Sequence, residues 1–436
     1  MKNKILGRIA GVFGLRLAYS ALTFLTSVLL ARVLGTSGFG AYTYAVVWAY
    51  LLSVPATMGF DNFLVREIAV YQTQSLWGLM RGLLSWANKV VLVSSSALAA
   101  IAILVAFLLD GGAQSEVFVG FCLAMALMPV ISLRNVRRGA MKGLHKIAKG
   151  MLPELLIDPL ILIVLTLAAY AVLKESLTSL WVVVFYGLGS LATLALVSQF
   201  LARSLPEKVT QVPAVFKGRA WISGALPFML IESIPILNSR LDVLMLGAYQ
   251  GTDAVGLYVP VNRGAQLITF ILMAVGSSLA PTIASAYSDN RLGDLQRMVT
   301  KGVRVVAVVA FLFAGSLSLL SQGYLSLFGP EFVQGQTALY IFCVGGFMST
   351  TMSLSYVILN MTGFERYTAI VGWLAIGLNV VLNAILIPRW GVEGAALATS
   401  LGTTIGAFVC LVAVRQKLGV DATILGLALK PPTVEP

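Results

Sequence analysis

Long apolar blocks, each closed by a cluster of Gly, Pro, Lys or Arg, follow one another along the whole chain. A helix needs about 20 mostly apolar residues to cross a hydrocarbon core about 30 Å thick. The pattern predicts twelve such spans, at about 9–33, 39–60, 83–109, 117–133, 151–173, 177–202, 220–249, 254–286, 302–328, 335–361, 367–388 and 392–414. Strands of a membrane barrel would alternate apolar and polar positions over about ten residues, and LILIVLTLAAYAVL at 160–173 does not. In lipid the backbone must satisfy its own polar groups, so these blocks read as helices and the chain as an all-α integral membrane protein. Between the second and third spans, residues 62–86 carry apolar and aromatic side chains at mixed three- and four-residue spacing, with Arg66 and Arg81 near the ends. That segment reads as an amphipathic helix on the cytoplasmic face.

The loops test this division independently. With the N-terminus inside, the great majority of the 30 lysines and arginines fall in cytoplasmic loops, and Arg32, Lys174 and Arg389 fall outside. Such a bias fixes orientation and implies an even number of spans with both termini cytoplasmic. It also accounts for the net charge of +12 without nucleic acid, because basic loops rest against anionic headgroups. RNVRRGAMKGLHKIAKG, between spans 4 and 5, is the most basic loop. It reads as a topology determinant, with docking of an anionic lipid-linked substrate as the sharper alternative. The composition agrees: 58% of residues are hydrophobic and 11% charged, far from the soluble average. Cys122, Cys343 and Cys410 sit apart inside apolar blocks without metal or disulfide spacing, and read as buried small side chains. The first block lacks a signal-cleavage site and is expected to remain as helix 1.

An internal repeat organises the spans. TSGFGAY at 36–42 aligns with TDAVGLY at 252–258, and MKGLHK at 141–146 with MTGFER at 361–366, at nearly equal offsets close to half the chain. The expected organisation is two pseudo-symmetric six-helix lobes, 1–205 and 206–417, in parallel around a central cavity, with a cytoplasmic tail at 418–436. Parallel repeats of this kind are a transporter architecture.

Four stretches in order carry a resemblance: LLARVLGTSGFGAYTYA, MGFDNFLVREIA, LDVLMLGAYQGTDAVGLYVPVNRGAQ and NVVLNAILIPRWGVEGAALATSLG. With them the chain resembles the polysaccharide transporter branch of the multidrug/oligosaccharidyl-lipid/polysaccharide (MOP) exporters, in particular Wzx-type O-antigen flippases. The resemblance implies transfer of an undecaprenyl-diphosphate-linked oligosaccharide from the inner to the outer leaflet of a bacterial cytoplasmic membrane. Membrane lipids and polysaccharide polymerase machinery are the partners it implies. The lipid II flippases of the superfamily have two further helices, which the C-terminal stretch is too short to supply.

A diphosphate needs cations in a wet cavity, so charges inside spans are the first functional candidates. Arg16 lies eight residues beyond Arg8, about 12 Å deeper, and the repeat places it opposite Glu232. It reads either as a structural partner of Glu232 or as a cavity cation able to hold phosphate bidentately. Arg240, Asp242 and Arg263 fall at similar depth in spans 7 and 8. Asp242 would pair with Arg263 and leave Arg240 to the cavity, or the roles of the two arginines are exchanged. Asp61, Asp158, Glu232 and Asp242 are the candidate coupling or ion-pair carboxylates, open to H+ or Na+, with Glu154 beside them. For Asp61 a helix-end interaction with Arg66 is the plainer reading. Pro159, Pro227, Pro235 and Gly247 mark spans 5 and 7 for bending, since proline removes a helix hydrogen bond.

No catalytic residue, metal site or cofactor is expected. A membrane-embedded glycan transferase or polymerase using a metal would want clustered carboxylates, and metalloprotease chemistry an H-E-x-x-H; neither occurs, and the one histidine, His145, lies in the basic loop. An ion-coupled multidrug exporter of the same superfamily is the other alternative; acidic cavity residues would suit its cationic cargo, whereas arginines suit an anionic one.

Overall fold

The computed structural model describes residues 2–109 and 115–426, with the side chains of 2–13, Arg16 and Glu175 outside the description. Among the described residues there are helices and turns and no strand, and ten helices are long and apolar enough to cross a membrane. Two of the ten are too long for one crossing. The span Leu17–Thr57 has 41 residues and Glu365–Leu418 has 54, about 60 and 80 Å at about 1.5 Å per residue. Each is interrupted by a glycine with positive φ, Gly35 (67°) and Gly391 (54°). At Gly391 the chain reverses: the amide of Asn379 reaches the hydroxyl of Thr399 at 3.3 Å, although twenty residues of straight helix would separate them by about 30 Å. Counted as two crossings each, they give the twelve spans read from the sequence.

The repeat is visible in the backbone. Gly35 (φ 67°, ψ −173°) matches Gly251 (φ 81°, ψ −175°). Lys174 (φ 46°, ψ −116°) matches Gly391 (φ 54°, ψ −124°), and Ser75 (φ 57°) matches Asn290 (φ 56°). All three pairs lie close to the spacing of the aligned motifs, so equivalent turns in the two halves adopt the same conformation. Side chains rarely tolerate these angles, which is why glycine fills three of the six positions.

The chain forms two compact units, Met1–Arg240 and Leu241–Pro436. Unit 1 comprises α1 (Lys2–Thr57), α2 (Phe60–Thr73), α3 (Trp77–Leu109), α4 (Glu116–Gly143), α5 (Ile147–Leu152), α6 (Asp158–Leu173), α7 (Ser179–Ser204), α8 (Glu207–Gln211) and the first part of α9 (Gly218–Gln250). The segment 62–86 is two elements rather than one amphipathic helix. α2 ends at Thr73, Ser75 turns the chain, and α3 starts at Trp77 and continues into the membrane span. α2 lies tight on α4 through Gly139 and Gly143, where an added Cβ would fall 2.0 Å from the Asp61 carbonyl and 2.9 Å from Ile68. Such small-residue spacing lets helix backbones approach where lipid gives no hydrophobic drive. Phe60, Phe63, Leu64 and Ile68 of α2 pack with Met80 and Leu83 of α3 and Trp221 and Ala225 of α9, and the Trp221 indole donates to the Tyr71 hydroxyl at 3.1 Å. This packing explains why the start of α9 belongs to unit 1.

Unit 2 comprises the rest of α9, α10 (Thr252–Ser288), α11 (Leu292–Leu319), α12 (Ser321–Ser326), α13 (Gln336–Met352), α14 (Leu354–Met361) and α15 (Glu365–Leu418). The described part of the C-terminal tail packs on α11. Gln296 donates to the Asp421 carbonyl and accepts from its amide, both at 2.8 Å, and Arg304 donates to the Ile424 carbonyl at 3.1 Å. Cys343 and Cys410 are buried, Cys122 is partly so, and all three are free thiols.

Candidate functional site

In unit 1, α4 carries Arg134, Arg137 and Arg138, a spacing that keeps them on neighbouring turns of one side. Arg134 is completely buried. Its guanidinium is ion-paired with Asp158, donates to the Tyr50 hydroxyl at 3.2 Å and stands 3.9 Å from Glu154. Arg138 pairs with Glu154, Thr193 donates to Asp158, and Arg137 donates to Ser198. Two cations thus meet two anions in a neutral, hydrogen-bonded cluster, the form in which charge is tolerated at membrane depth. The carboxylates arrive on a π-helical turn, Pro153–Ile157, that runs directly into Asp158 and Pro159. The irregularity expected at Asp158-Pro159 takes this form, and π turns frequently occur at functional sites. Arg134 does not belong to a solvated cytoplasmic loop, where the charge pattern placed it. It sits inside α4 because Asp158 and Glu154 compensate it.

Tyr50 ties this cluster to a further cation. Its hydroxyl accepts from Tyr186 at 2.9 Å as well as from Arg134, and the Arg240 guanidinium lies over its ring, 5.9 Å from the centroid. A ring face holds a cation by its quadrupole and leaves the guanidinium's in-plane donors available to a ligand.

Asp61 opens α2, and the pairing with Arg66 expected from sequence is absent. Arg66 is bound to Glu67 at 2.9 Å and rests over the rings of Phe63 and Phe228, 5.3 Å from each centroid. Five residues along a helix is about 140° around it, so Asp61 and Arg66 point to different sides. Asp61 instead meets Glu232 of α9 carboxyl to carboxyl, the Asn62 amide donates to Glu232, and Lys142 and Arg138 act on Glu232 electrostatically. The Arg16 side chain, assigned opposite Glu232 from the repeat, lies outside the described residues.

In unit 2, Asp242 is 2% exposed. Tyr258 and Thr399 donate to one carboxylate oxygen at 2.9 and 2.7 Å, and Asn383 donates to the other at 2.7 Å. Asn383 also donates to the Asn379 side-chain oxygen at 2.9 Å. The expected Asp242–Arg263 pair is replaced by this neutral donor set. Tyr258 and Arg263 are five residues apart on α10, so the helix that turns Tyr258 toward Asp242 turns Arg263 away. A buried carboxylate without a countercharge is costly, and the side-chain oxygen of Asn383 is buried with no hydrogen-bond partner. Carboxylate, amide and hydroxyl oxygens converge here from three helices.

The sequence profile of the polysaccharide biosynthesis protein family matches residues 11–287, and that of the MatE family residues 227–385. The chain belongs to the polysaccharide biosynthesis protein family. The chain is 31% identical over 185 residues to the probable flippase AglR of Haloferax volcanii, a stretch covering 40% of this chain and 37% of that one. Its match thus spans well under two thirds of that relative. The probable low-salt glycan biosynthesis flippase Agl15 of the same organism is 22% identical over 402 residues, covering 90% of this chain and 79% of the other. An inward-facing multidrug resistance MATE family transporter of the MOP superfamily superposes with a TM-score of 0.73 at 15% identity, covering 91% of this chain and 94% of that one. At that identity the likeness establishes the fold, which is that of the MOP superfamily.

Several residues of these clusters had no part in the sequence reading. The chain holds Asp242 with Asn379 and Asn383, four apart in NVVLN, and a pair of amides at helical spacing inside an apolar span is the signal that marks them. Tyr258 is the tyrosine of the repeated turn motif. Thr193, Tyr50 and Tyr186 carry no such mark, because single hydroxyls in apolar spans are ordinary.

Proposed function

We propose that this protein is a flippase that carries an undecaprenyl-diphosphate-linked oligosaccharide, the repeat unit of an O-antigen or other surface polysaccharide, from the cytoplasmic to the outer leaflet by alternating access. Membership of the polysaccharide biosynthesis family carries the reading, and the names of AglR and Agl15 favour it. The membrane is the bacterial cytoplasmic membrane, both termini face the cytoplasm, and polysaccharide polymerase machinery receives the product. The chain works as a transporter and not as an enzyme. Arg240, held by the ring of Tyr50, offers planar donors suited to a diphosphate, and Arg16 and Arg263 are the other cations assigned to it.

Transport is ion-coupled. Asp242, Asn379, Asn383 and Thr399 form an oxygen-rich, carboxylate-centred pocket that would hold Na+, and a bound cation would supply the countercharge that the buried carboxylate lacks. Asp61 and Glu232 are the proton-carrying alternative.

Multidrug export is the second reading, favoured by the MatE match and by a buried acid in unit 2. Depletion of the protein in its native cells separates the two. Cytoplasm-facing lipid-linked oligosaccharide should accumulate. Unchanged lipid-linked pools together with raised sensitivity to cationic drugs would refute the flippase reading.

A further inference from the structure

Unit 2 carries an apolar recess of about 430 Å3 between α10, α11 and α12. Leu267 and Ile268 form one wall, Phe313 and Leu317 a second, and Leu320 and Leu327 the rim. Its lining is almost wholly apolar, and Leu267, Phe313, Leu320 and Leu327 are all substantially exposed. Gly323 keeps the recess open: it lines the slot, and an added Cβ there would meet nothing within 4 Å. Tyr324 stands over one end, its hydroxyl donating to the Pro260 carbonyl at 2.9 Å. Arg263 is near enough to Tyr324 to act on it electrostatically, and it shares a helix face with Leu267, four residues on. A cation therefore borders an apolar slot.

A recess open to lipid gains no hydrophobic energy from an apolar chain, since lipid tails are equally apolar. Such a slot selects by shape, through contacts that a poorly fitting chain forfeits. The adjacent charge then selects what the chain is attached to. At about 30 Å3 per water-sized group the recess holds about fourteen, or roughly three five-carbon isoprene units. We propose that this recess binds the phosphate-proximal isoprene units of a polyisoprenoid lipid and sets its phosphate against Arg263. The proposal rests on the flippase reading and adds to it a seat for the tail.

The test uses purified full-length protein in phosphatidylcholine vesicles and undecaprenyl monophosphate carrying a diazirine on its first isoprene unit. Irradiation should attach the probe within 263–268 and 313–327. Excess unlabelled undecaprenyl phosphate should compete, and excess phosphatidic acid should not. Leu267→Trp and, separately, Gly323→Leu should each cut labelling at least tenfold by filling the slot, and the second keeps the test open should the first fail to fold. Wild-type protein should label at least tenfold better with the phosphate than with the matching polyprenol, and Arg263→Gln should erase that preference. Labelling elsewhere, equal competition by phosphatidic acid, or undiminished labelling of both filled variants would overturn the proposal. Glycan transport is read in the same vesicles, so recess labelling without transport supports the tail seat and overturns the flippase reading alone.

Discussion

Replacing Asp158 by alanine should destabilise unit 1 more than any other single loss of charge. Arg134 has a side chain 1% exposed, and Asp158 is its direct partner. Breaking a buried pair leaves the other charge uncompensated, at a cost of about 3–5 kcal/mol. Glu154 remains 3.9 Å away but is itself engaged by Arg138, so relief is partial and the low end, about 3 kcal/mol, is expected. At about 2–4 °C per kcal/mol for a unit of this size, the melting midpoint in detergent should fall by about 6–12 °C. A double-mutant cycle isolates the pair: Arg134→Met with Asp158→Leu should lose much less than the two singles added, because apolar replacement of a buried pair is often neutral. A single-mutant loss under about 1 kcal/mol, or strict additivity, would refute the claim that the cluster holds unit 1 together.

Asp242→Asn should abolish stabilisation by Na+, which in wild type reaches about 2.7 kcal/mol at one hundred times the dissociation constant; melting in NaCl against equal choline chloride reads it, and a shift that survives the substitution refutes the seat. Gly391→Ala should cost about 1–2 kcal/mol while Lys174→Gly at the equivalent turn stabilises by about 1 kcal/mol; equal signs in thermal melts would break the equivalence of the two halves. Gly139→Ala should destabilise by about 1–3 kcal/mol through overpacking against α2, whereas Gly377→Ala, with open space around its added Cβ, should gain up to about 1 kcal/mol from helix propensity. Matching melts for the two would contradict the close approach of α2 and α4.

Twelve spans were legible because crossing a bilayer demands about 20 apolar residues, a demand local in sequence. The repeat was legible for the same reason: its turns need glycine, and Gly35 and Gly251 carry matching angles. The charged clusters were less so. Arg134 looks like a loop cation until Asp158, 24 residues away, is folded against it, and Asp242 looks like half of an ion pair until the α15 hairpin brings Asn383 and Thr399 to it. Pairing across helices depends on rotation about each axis, where one residue shifts a side chain by about 100°, and boundaries read from sequence are looser than that. The same looseness assigned Asp61 to Arg66 instead of Glu232.

The central claim is transport of an anionic lipid-linked glycan. Proteoliposomes carrying a fluorescent undecaprenyl-diphosphate oligosaccharide, quenched from outside, measure it directly. Wild-type protein should equilibrate the label across the bilayer, and an Arg16→Ala, Arg240→Ala double variant that melts like wild type should be slower by at least tenfold. Wild-type rates in that folded double variant, or movement of a cationic dye with none of the lipid-linked glycan, would contradict it.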